Sequence, residues 1–235
     1  MIGYFTLTGG VMGNKLVLEN KKVSIIILVH NAPKYVIKTL SSLKKTKNIV
    51  YETIVIDNKS RFFTKFILFS YFIFKRINRL LFIDENTLFS KGNNIGSKII
   101  SNDSTYILLL NSDVKINNPY WLEILLQHHE TGSISFGVAH GNGLPQRADG
   151  FCFLIDKEIY IKYQLDEYYE HTWSITKLQA ELLKAGYCVK AIRNYSEYIT
   201  HFGKKSGKIK QKRKASIEAV ATWFNNNEVK IIDKI

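Results

Sequence analysis

Short apolar runs alternate along this chain with segments in which apolar residues recur every three or four positions. The runs at residues 23–29 and Tyr106–Leu110 carry no charge and lead into polar clusters, which is typical of strands buried on both faces of a parallel sheet. The spacing of Ile175, Leu178 and Leu182 predicts an amphipathic helix over Ser174–Lys184. The alternation of the two patterns predicts an α/β fold with helices flanking a mostly parallel sheet.

The first predicted unit is a strand, a helix and a second strand. The helix is expected to begin near Pro33, which suits a first turn, with Asn31 as a good N-cap. The second strand, residues 51–56, runs into residues 57–60, which are all polar. Ligands of open α/β sheets bind beyond the carboxyl ends of the strands. Both strand ends are therefore candidate ligand contacts.

The central strand Tyr106–Leu110 is followed by Asn111, Ser112 and Asp113. This order projects Asp113 into the region where a ligand of such a sheet would lie. A carboxylate in that position suits a hard divalent cation that also takes phosphate oxygens. The alternative is an aspartate that only caps a turn.

Aromatic and aliphatic side chains crowd residues 61–83, and basic residues flank or interrupt them. One interpretation is an interfacial helix that lies on an anionic membrane. The simpler interpretation is a core helix that runs into a strand at residues 80–83.

Weaker signals predict the rest of the chain. Residues 86–96 are expected to form a loop leading into a helix, with Gly92 permitting a tight backbone and Asn93 or Asn94 as the cap. Five glycines and a proline make residues 131–150 loop-rich. Further elements are expected as strands at residues 151–155 and 187–192, a Ser174 cap on the helix above, and a terminal helix at residues 216–224.

Composition narrows the partners without choosing one. The net charge of +13 and the pI of about 9.5 favour anionic partners such as nucleotide-sugars, phospholipid headgroups or nucleic acid. Nucleic acid is the least favoured, because the chain has no helix-turn-helix, zinc or RNP signature. Residues 204–214 carry seven basic side chains, each worth roughly 1 kcal/mol near an anionic leaflet; a solvated linker is the alternative. Two cysteines favour a reducing compartment, and no apolar stretch reaches the roughly 18 residues of a membrane span.

In order and spacing, these segments resemble glycosyltransferase family 2, enzymes of the GT-A fold, over roughly residues 23–206. Residues 51–60 are close to the second-strand signature of the family. Residues 86–96 resemble its loop Asn-x-Gly-Phe-Ala-x-Gly-Asn-Asn-x-Gly, with Leu88 where glycine is usual, and residues 110–114 match a metal motif in which asparagine replaces the first aspartate. The resemblance implies one Rossmann-like GT-A domain at residues 23–203, an N-terminal extension or hairpin at 1–22, and a basic segment with a C-terminal helix at 204–235.

The resemblance also implies roles for individual residues. Asn31, Asp57, Asn111 and Asp113 would contact the donor nucleotide, and Asp113 would bind a Mn or Mg ion that bridges its diphosphate. His201 stands where some relatives place a late metal ligand or a phosphate contact, although a structural role is equally compatible. The cation would stabilise the charge that develops on the departing nucleoside diphosphate.

The departure from the family lies at the acceptor base. The paired acids that open the family's acceptor-side helix fall on Ser174 and Ile175, neither of which can deprotonate a sugar hydroxyl. Glu170 is the substitute base that we expect, with Asp166 and Glu167 as weaker candidates. Otherwise the acceptor or a partner chain completes the site, or the protein no longer transfers sugar.

The expected function is an inverting transfer of one sugar from a nucleotide-sugar donor to a surface-glycan or lipid-linked acceptor. The setting is the cytoplasm, with peripheral binding to the inner face of the membrane as an option. Single-sugar addition is favoured because the Gln-x-x-Arg-Trp signature of processive members is absent. The alternative is a catalytically silent family member that binds nucleotide-sugar or serves as a scaffold subunit.

Overall fold

The computed structural model describes residues 21–141, 143–170, 173–203, 205 and 214–235. The strands in these ranges are β1 (Lys22–Val29), β2 (Val50–Asn58), β3 (Arg79–Ile83), β4 (Tyr106–Leu110), β5 (Val114–Ile116), β6 (Gly132–Phe136), β7 (Val138–Ala139), β8 (Arg147–Ala148), β9 (Cys152–Asp156), β10 (Cys188–Ile192), β11 (Ile199–His201) and β12 (Lys230–Ile232). The helices are α1 (Pro33–Leu43), α2 (Phe62–Ile73), α3 (Leu88–Ser97), α4 (Trp121–Gln127), α5 (Lys157–Tyr163), α6 (Ser174–Lys184) and α7 (Ile217–Phe224), with a 3₁₀ turn at Glu167–Tyr169.

One eight-stranded sheet organises the fold, in the order β12-β10-β6-β9-β4-β1-β2-β3. Strand β9 runs antiparallel to β4 and β6, and the other strands of this sheet run parallel to one another. Strand β4 is buried along its whole length, as its uncharged apolar sequence predicts. The α/β architecture with a mostly parallel sheet is therefore confirmed, and two apolar clusters lie on its two faces.

The prediction of a loop-rich segment at residues 131–150 is wrong for its first part. Strand β6 is fully buried between β9 and β10. Its first residue, Gly132, has φ 140, and a Cβ atom there would lie 2.0 Å from the backbone oxygen of Cys188. Gly132 thus permits β6 to lie close to β10. Because glycine is also typical of loops, the sequence pattern did not predict this strand.

The segment at residues 86–96 is helical over most of its length. Two roles predicted within it, the tight backbone at Gly92 and the cap at Asn93 or Asn94, are therefore wrong. Gly92 lies inside α3, where a Cβ atom would come within 2.5 Å of the Leu28 side chain, so it provides helix–sheet packing and makes no tight turn. Asn93 and Asn94 are not caps, since both lie within the helix. Leu88 has φ 60, so it keeps the left-handed backbone for which glycine is suited.

Two predicted helix caps are also wrong, although both helices form. Helix α1 begins at Pro33 as expected, but its N-cap is Ala32. The Asn31 side-chain oxygen instead accepts the backbone N–H of Arg61 at 2.9 Å. Ser174 is the first residue of α6 rather than its cap, and its buried hydroxyl has no hydrogen-bond partner among the described residues.

Helix α2 forms and leads into β3, but it is not the core helix of the simpler interpretation. Its buried residues are Thr64, Ile67 and Leu68. Seven large apolar side chains on or just after it are 39–83% exposed: Phe62, Phe63, Phe66, Phe69, Phe72, Ile73 and Phe74. No helix in the described part of the chain is long and apolar enough to cross a bilayer.

The two ends of the chain are only partly open to comparison. Residues 1–20 of the expected N-terminal extension or hairpin lie outside the described residues. Most of the basic segment at residues 204–214 also lies outside them. The terminal helix is confirmed as α7, with Ser216 as an N-cap that accepts the backbone N–H of Ala219.

Candidate functional site

The carboxyl ends of β1, β2 and β4 bring polar residues to one edge of the sheet. The parallel register places Val29 beside Asp57. The His30 Nδ1 atom donates to the backbone oxygen of Asn58 at 2.7 Å, which ties the first two strand ends together. The buried Asn58 side chain accepts the backbone N–H of Thr87 at 2.7 Å and so fixes the entry to α3.

Asp113 and His201 meet at this edge because β5 pairs with β11. The pairing sets Val114 opposite His201, and the Phe202 N–H donates to the Asp113 backbone oxygen at 3.0 Å. The His201 Nε2 atom then lies 3.3 Å from Asp113 Oδ1. The imidazole also stacks on the Phe151 ring, with ring centres 4.2 Å apart. The chain thus holds one carboxylate and one imidazole in fixed contact.

An open cleft of about 500 Å³ adjoins this pair, a size in the range of small-molecule sites. Its lining includes Asn111, Asp113, Phe151 and His201. It also includes residues from β8, from the segment just after β8 and from the start of α6: Arg147, Asp149, Ile175 and Thr176. The cleft thus joins the strand-end edge to the part of the fold that the sequence assigned to the acceptor.

The start of α6 supplies no carboxylate to the cleft. Ile175 and Thr176 line the wall there, and Ser174 is fully buried. Among the described residues that line the cleft, the carboxylates are Asp113 and Asp149. At the start of α6, the surface that lines the cleft is therefore formed by an apolar side chain, Ile175, and a hydroxyl side chain, Thr176.

The acids that the sequence offered as substitute bases are engaged elsewhere. Glu170 is not among the cleft-lining residues, and its Oε1 atom lies 2.7 Å from Lys214 Nζ. Its backbone oxygen accepts the N–H of Ser90 at 2.9 Å, which anchors α3. Asp166 pairs with Lys177 at 2.6 Å, and Glu167 accepts the side-chain amide of Asn94 at 3.1 Å.

Asp113 and His201 are chemically suited to a divalent cation. No group of three or more His, Cys, Asp or Glu side chains in the described ranges is arranged to hold a metal ion. Ions of the Mg type nevertheless use one or two carboxylates together with substrate phosphates and waters. A carboxylate and an imidazole in contact beside the cleft fit a cation that is completed by a diphosphate.

Asp57, a predicted nucleotide contact, is fully buried and does not line the cleft. Its Oδ2 atom accepts the Ser60 N–H at 3.3 Å and lies 4.0 Å from Lys65 Nζ. Its Oδ1 atom has no hydrogen-bond partner in the part of the chain that the structure describes. Burial raises the pKa of this carboxyl above its ordinary value, against the lowering effects of Ser60, Lys65 and His30.

The sequence analysis missed three cleft or edge residues: His30, Arg147 and Asp149. The end of the first strand was expected to lie near a ligand, but only Asn31 was singled out there, and His30 was not. Arg147 and Asp149 fall in the segment assigned to loops. The Asp-Gly pair just before a predicted strand was a signal for Asp149, whereas the sequence carries no comparable signal for Arg147.

The fold matches solved structures of the GT-A class. The S. aureus protein TarS, residues 1–349, gives a TM-score of 0.53 at 18% identity, over 68% of this chain and 55% of that one, and it was also solved with UDP. The mannosyltransferase PcManGT from Pyrobaculum calidifontis, in complex with GDP-Man and Mn²⁺, gives 0.59 at 12% identity, over 73% and 54%. This chain thus spans about half the length of each of these two solved chains, and at such identities the likeness shows the fold alone.

Sequence comparison supplies the family. The model described as Glycosyl transferase family 2 matches residues 24–164, more than half of the chain. The chain therefore belongs to glycosyl transferase family 2. No curated protein sequence matches it.

The buried Asp57 carboxyl predicts a specific pH dependence of stability. Because its pKa is raised in the folded state, ionised Asp57 costs stability above that pKa and costs none below the unfolded value of about 3.9. Relative to the wild type, Asp57→Asn should therefore gain unfolding free energy as the pH rises from about 4 to 7. Urea denaturation at each pH measures this difference.

Asp103→Asn is the matched control with the opposite sign. The hydrogen bond from Lys22 lowers the pKa of the exposed Asp103 carboxyl, so its ionised form stabilises the fold above the unfolded pKa of about 3.9, and this contribution is lost only as the pH falls below that value. From pH 4 to 7, Asp103→Asn should therefore be less stable than the wild type by a nearly constant amount. A pH-independent difference between Asp57→Asn and the wild type would contradict the assignment of a strained buried charge to Asp57.

Proposed function

We propose that this protein transfers a sugar from a nucleotide-sugar donor to a hydroxyl of a surface-glycan or lipid-linked acceptor, with inversion and one sugar at a time. The observation that carries the proposal is the contact between Asp113 and His201 beside the cleft, in a chain of this family. TarS was solved with UDP-GlcNAc and PcManGT with GDP-Man and Mn²⁺, which supports a nucleotide-sugar donor and a Mn or Mg ion here.

In the proposed reaction, the acceptor oxygen bonds to the anomeric carbon while the bond from that carbon to the diphosphate oxygen breaks. The acceptor proton passes to a base, and the nucleoside diphosphate leaves. A divalent cation bound at Asp113 and His201 would neutralise charge on the leaving diphosphate. Asn111, whose backbone N–H donates to the Phe151 oxygen at 2.8 Å, holds the loop that carries Asp113. Asn31 and Asp57 remain proposed contacts of the nucleoside, reached through the strand-end edge.

Two carboxylates compete for the role of base. Glu170, the candidate from the sequence, would have to leave its ion pair with Lys214 before it could reach an acceptor. Asp149 lines the same cleft as Asp113 and His201. Because a base must lie within hydrogen-bond reach of the proton that it takes, the arrangement favours Asp149.

A catalytically silent donor-binding or scaffold subunit is the second candidate. The observation in its favour is that Ser174 and Ile175 occupy the positions where the family carries its paired acids, and that Ile175 lines the cleft. Such a protein would bind the donor through the same cation-binding pair and would release no diphosphate in the presence of any acceptor.

We also propose a peripheral location on an anionic membrane at its cytoplasmic face, with helix α2 as the contact. Residues 58–83 contain six basic residues and no acidic one, and the exposed phenylalanines of α2 lie among them. Aromatic side chains that insert and cations that meet lipid headgroups are the two requirements for interfacial helices. Both cysteines are free thiols, which accords with a reducing compartment.

Asp113→Ala should abolish turnover and remove the metal dependence of donor binding, because it deletes the carboxylate that holds the cation. The measurements are nucleoside diphosphate release and calorimetric titration of UDP-GlcNAc and GDP-Man, each with and without Mn²⁺. Asp103→Ala removes an exposed acid at the other end of β4 from Asp113; it is the control and should leave both unchanged. Equal metal-dependent binding in Asp113→Ala and the wild type would refute the cation site, and binding without release over a broad acceptor panel would favour the silent subunit.

Asp149→Asn should lower turnover by about 10²- to 10⁴-fold, the usual contribution of a general base, while metal-dependent donor binding stays intact. Glu170→Gln should leave turnover close to wild type, because a half-exposed ion pair is worth roughly 1 kcal/mol or less. Single-turnover rates at saturating donor measure both. The reverse ranking would return the role to Glu170 and exclude Asp149.

The protein should bind vesicles that contain phosphatidylglycerol, and the binding should weaken as salt rises. The triple variant Phe62→Ser, Phe63→Ser, Phe66→Ser should bind at least about tenfold more weakly, since burial of each phenylalanine contributes roughly 1.5–3 kcal/mol. Tyr120→Ser with Ile161→Ser, which removes exposed apolar groups elsewhere, should leave binding unchanged. Co-sedimentation that is equal for both variants would rule out α2 as the contact.

A further inference from the structure

One of the side chains that line the cleft is a buried arginine, Arg147, which forms no salt bridge with any acidic side chain in the described part of the chain. Arg147 lines the cleft yet is only 7% exposed. Its Nε atom is buried without a hydrogen-bond partner, and its Nη1 atom donates to the Pro145 oxygen at 3.2 Å. In the described part of the chain, the arginines that form ion pairs are Arg79 and Arg193. The residues outside the described ranges include a single acid, Glu19.

Burial without a partner is unfavourable for this guanidinium. Loss of hydration disfavours the charged form and lowers the Arg147 pKa, and only the charge of Asp149 opposes that effect. Arginine nevertheless stays protonated at neutral pH, so the folded protein holds an uncompensated positive charge. Such an arrangement destabilises a fold unless a ligand supplies the missing anion.

The backbone around Arg147 is held firmly. Strand β8 pairs with β7, with Arg147 opposite Ala139. The next residue, Ala148, both donates to and accepts from the buried Gln179 side chain of α6, each at 2.9 Å. The position of the arginine is therefore set by the scaffold, as is expected of a residue that recognises a ligand.

We propose that Arg147 binds a phosphate or carboxylate group of the molecule that occupies the cleft. The planar guanidinium presents paired N–H donors that match the oxygens of these anions, and Nε is the donor left without a partner. The anion belongs either to the diphosphate of the donor or to a charged group on the acceptor. The anion site stands on the geometry of Arg147, whereas its attribution to donor or acceptor rests on the proposed sugar transfer.

The test compares Arg147→Met and Arg147→Lys with Arg193→Met, which removes an exposed arginine that pairs with Asp233. Three probes are titrated by calorimetry: inorganic pyrophosphate, UDP or GDP with Mn²⁺, and glycerol 3-phosphate added to protein saturated with the nucleotide. For at least one of these probes, Arg147→Met should weaken binding by about 10- to 100-fold, as expected for loss of a charge-assisted hydrogen bond. Arg147→Lys should recover part of the loss, and Arg193→Met should match the wild type.

The probe that responds identifies the source of the anion. Weaker binding of UDP or GDP and of pyrophosphate assigns Arg147 to the donor, and weaker binding of glycerol 3-phosphate alone assigns it to a phosphate-bearing acceptor. Arg147→Met should also unfold at the same or higher temperature, because it removes an unpaired buried charge. Unchanged affinity of the folded variant for all three probes overturns the anion site. Absence of nucleotide binding by the wild type, with pyrophosphate binding still dependent on Arg147, overturns the sugar-transfer proposal instead.

Discussion

The short antiparallel pairing of β5 with β11 is the constraint on which the candidate site depends. Strand β5 begins at the residue after Asp113, and β11 ends at His201, so the pairing joins the middle of the chain to a segment near its end. Because the register sets Val114 opposite His201, the imidazole has to lie beside the carboxylate. Stacking on Phe151 then restricts the ring, so the fold itself holds Asp113 and His201 in contact.

Two buried charges close to this site are poorly compensated within the protein. Asp57 has an unpartnered oxygen and a pKa raised by burial, and Arg147 has an unpartnered nitrogen and a pKa lowered by burial. A fold selected for stability alone would remove both groups, since an apolar or neutral side chain of similar size costs less to bury. Buried polar groups that cost stability are a common form of the trade between stability and function.

The cleft also shows how a chain of this family departs from the usual pattern while keeping its shape. Helix α6 starts where the resemblance places it, and Ile175 packs 3.0 Å from the point where a Cβ atom on Gly150 would lie. The helix therefore still forms the cleft wall, with apolar contact where carboxylates would stand. The charged side chains that line the cleft near this helix come instead from Arg147 in β8 and Asp149 just after it.

The sequence by itself determined the sheet strands with uncharged apolar runs, the spacing of helix α6 and the strand-end position of Asp113, because these depend on local periodicity and on where a run stops. It could not determine that Gly132 begins a central strand, that Gly92 packs against Leu28, or that the phenylalanines of α2 face outward. Each of those facts depends on which surface a distant segment covers. The same holds for the cleft. Arg147 and Asp149 come to line it with Asp113 and His201 only because β8 packs against α6 and β5 pairs with β11. Long-range packing, which leaves no periodic trace along the chain, decided the candidate site.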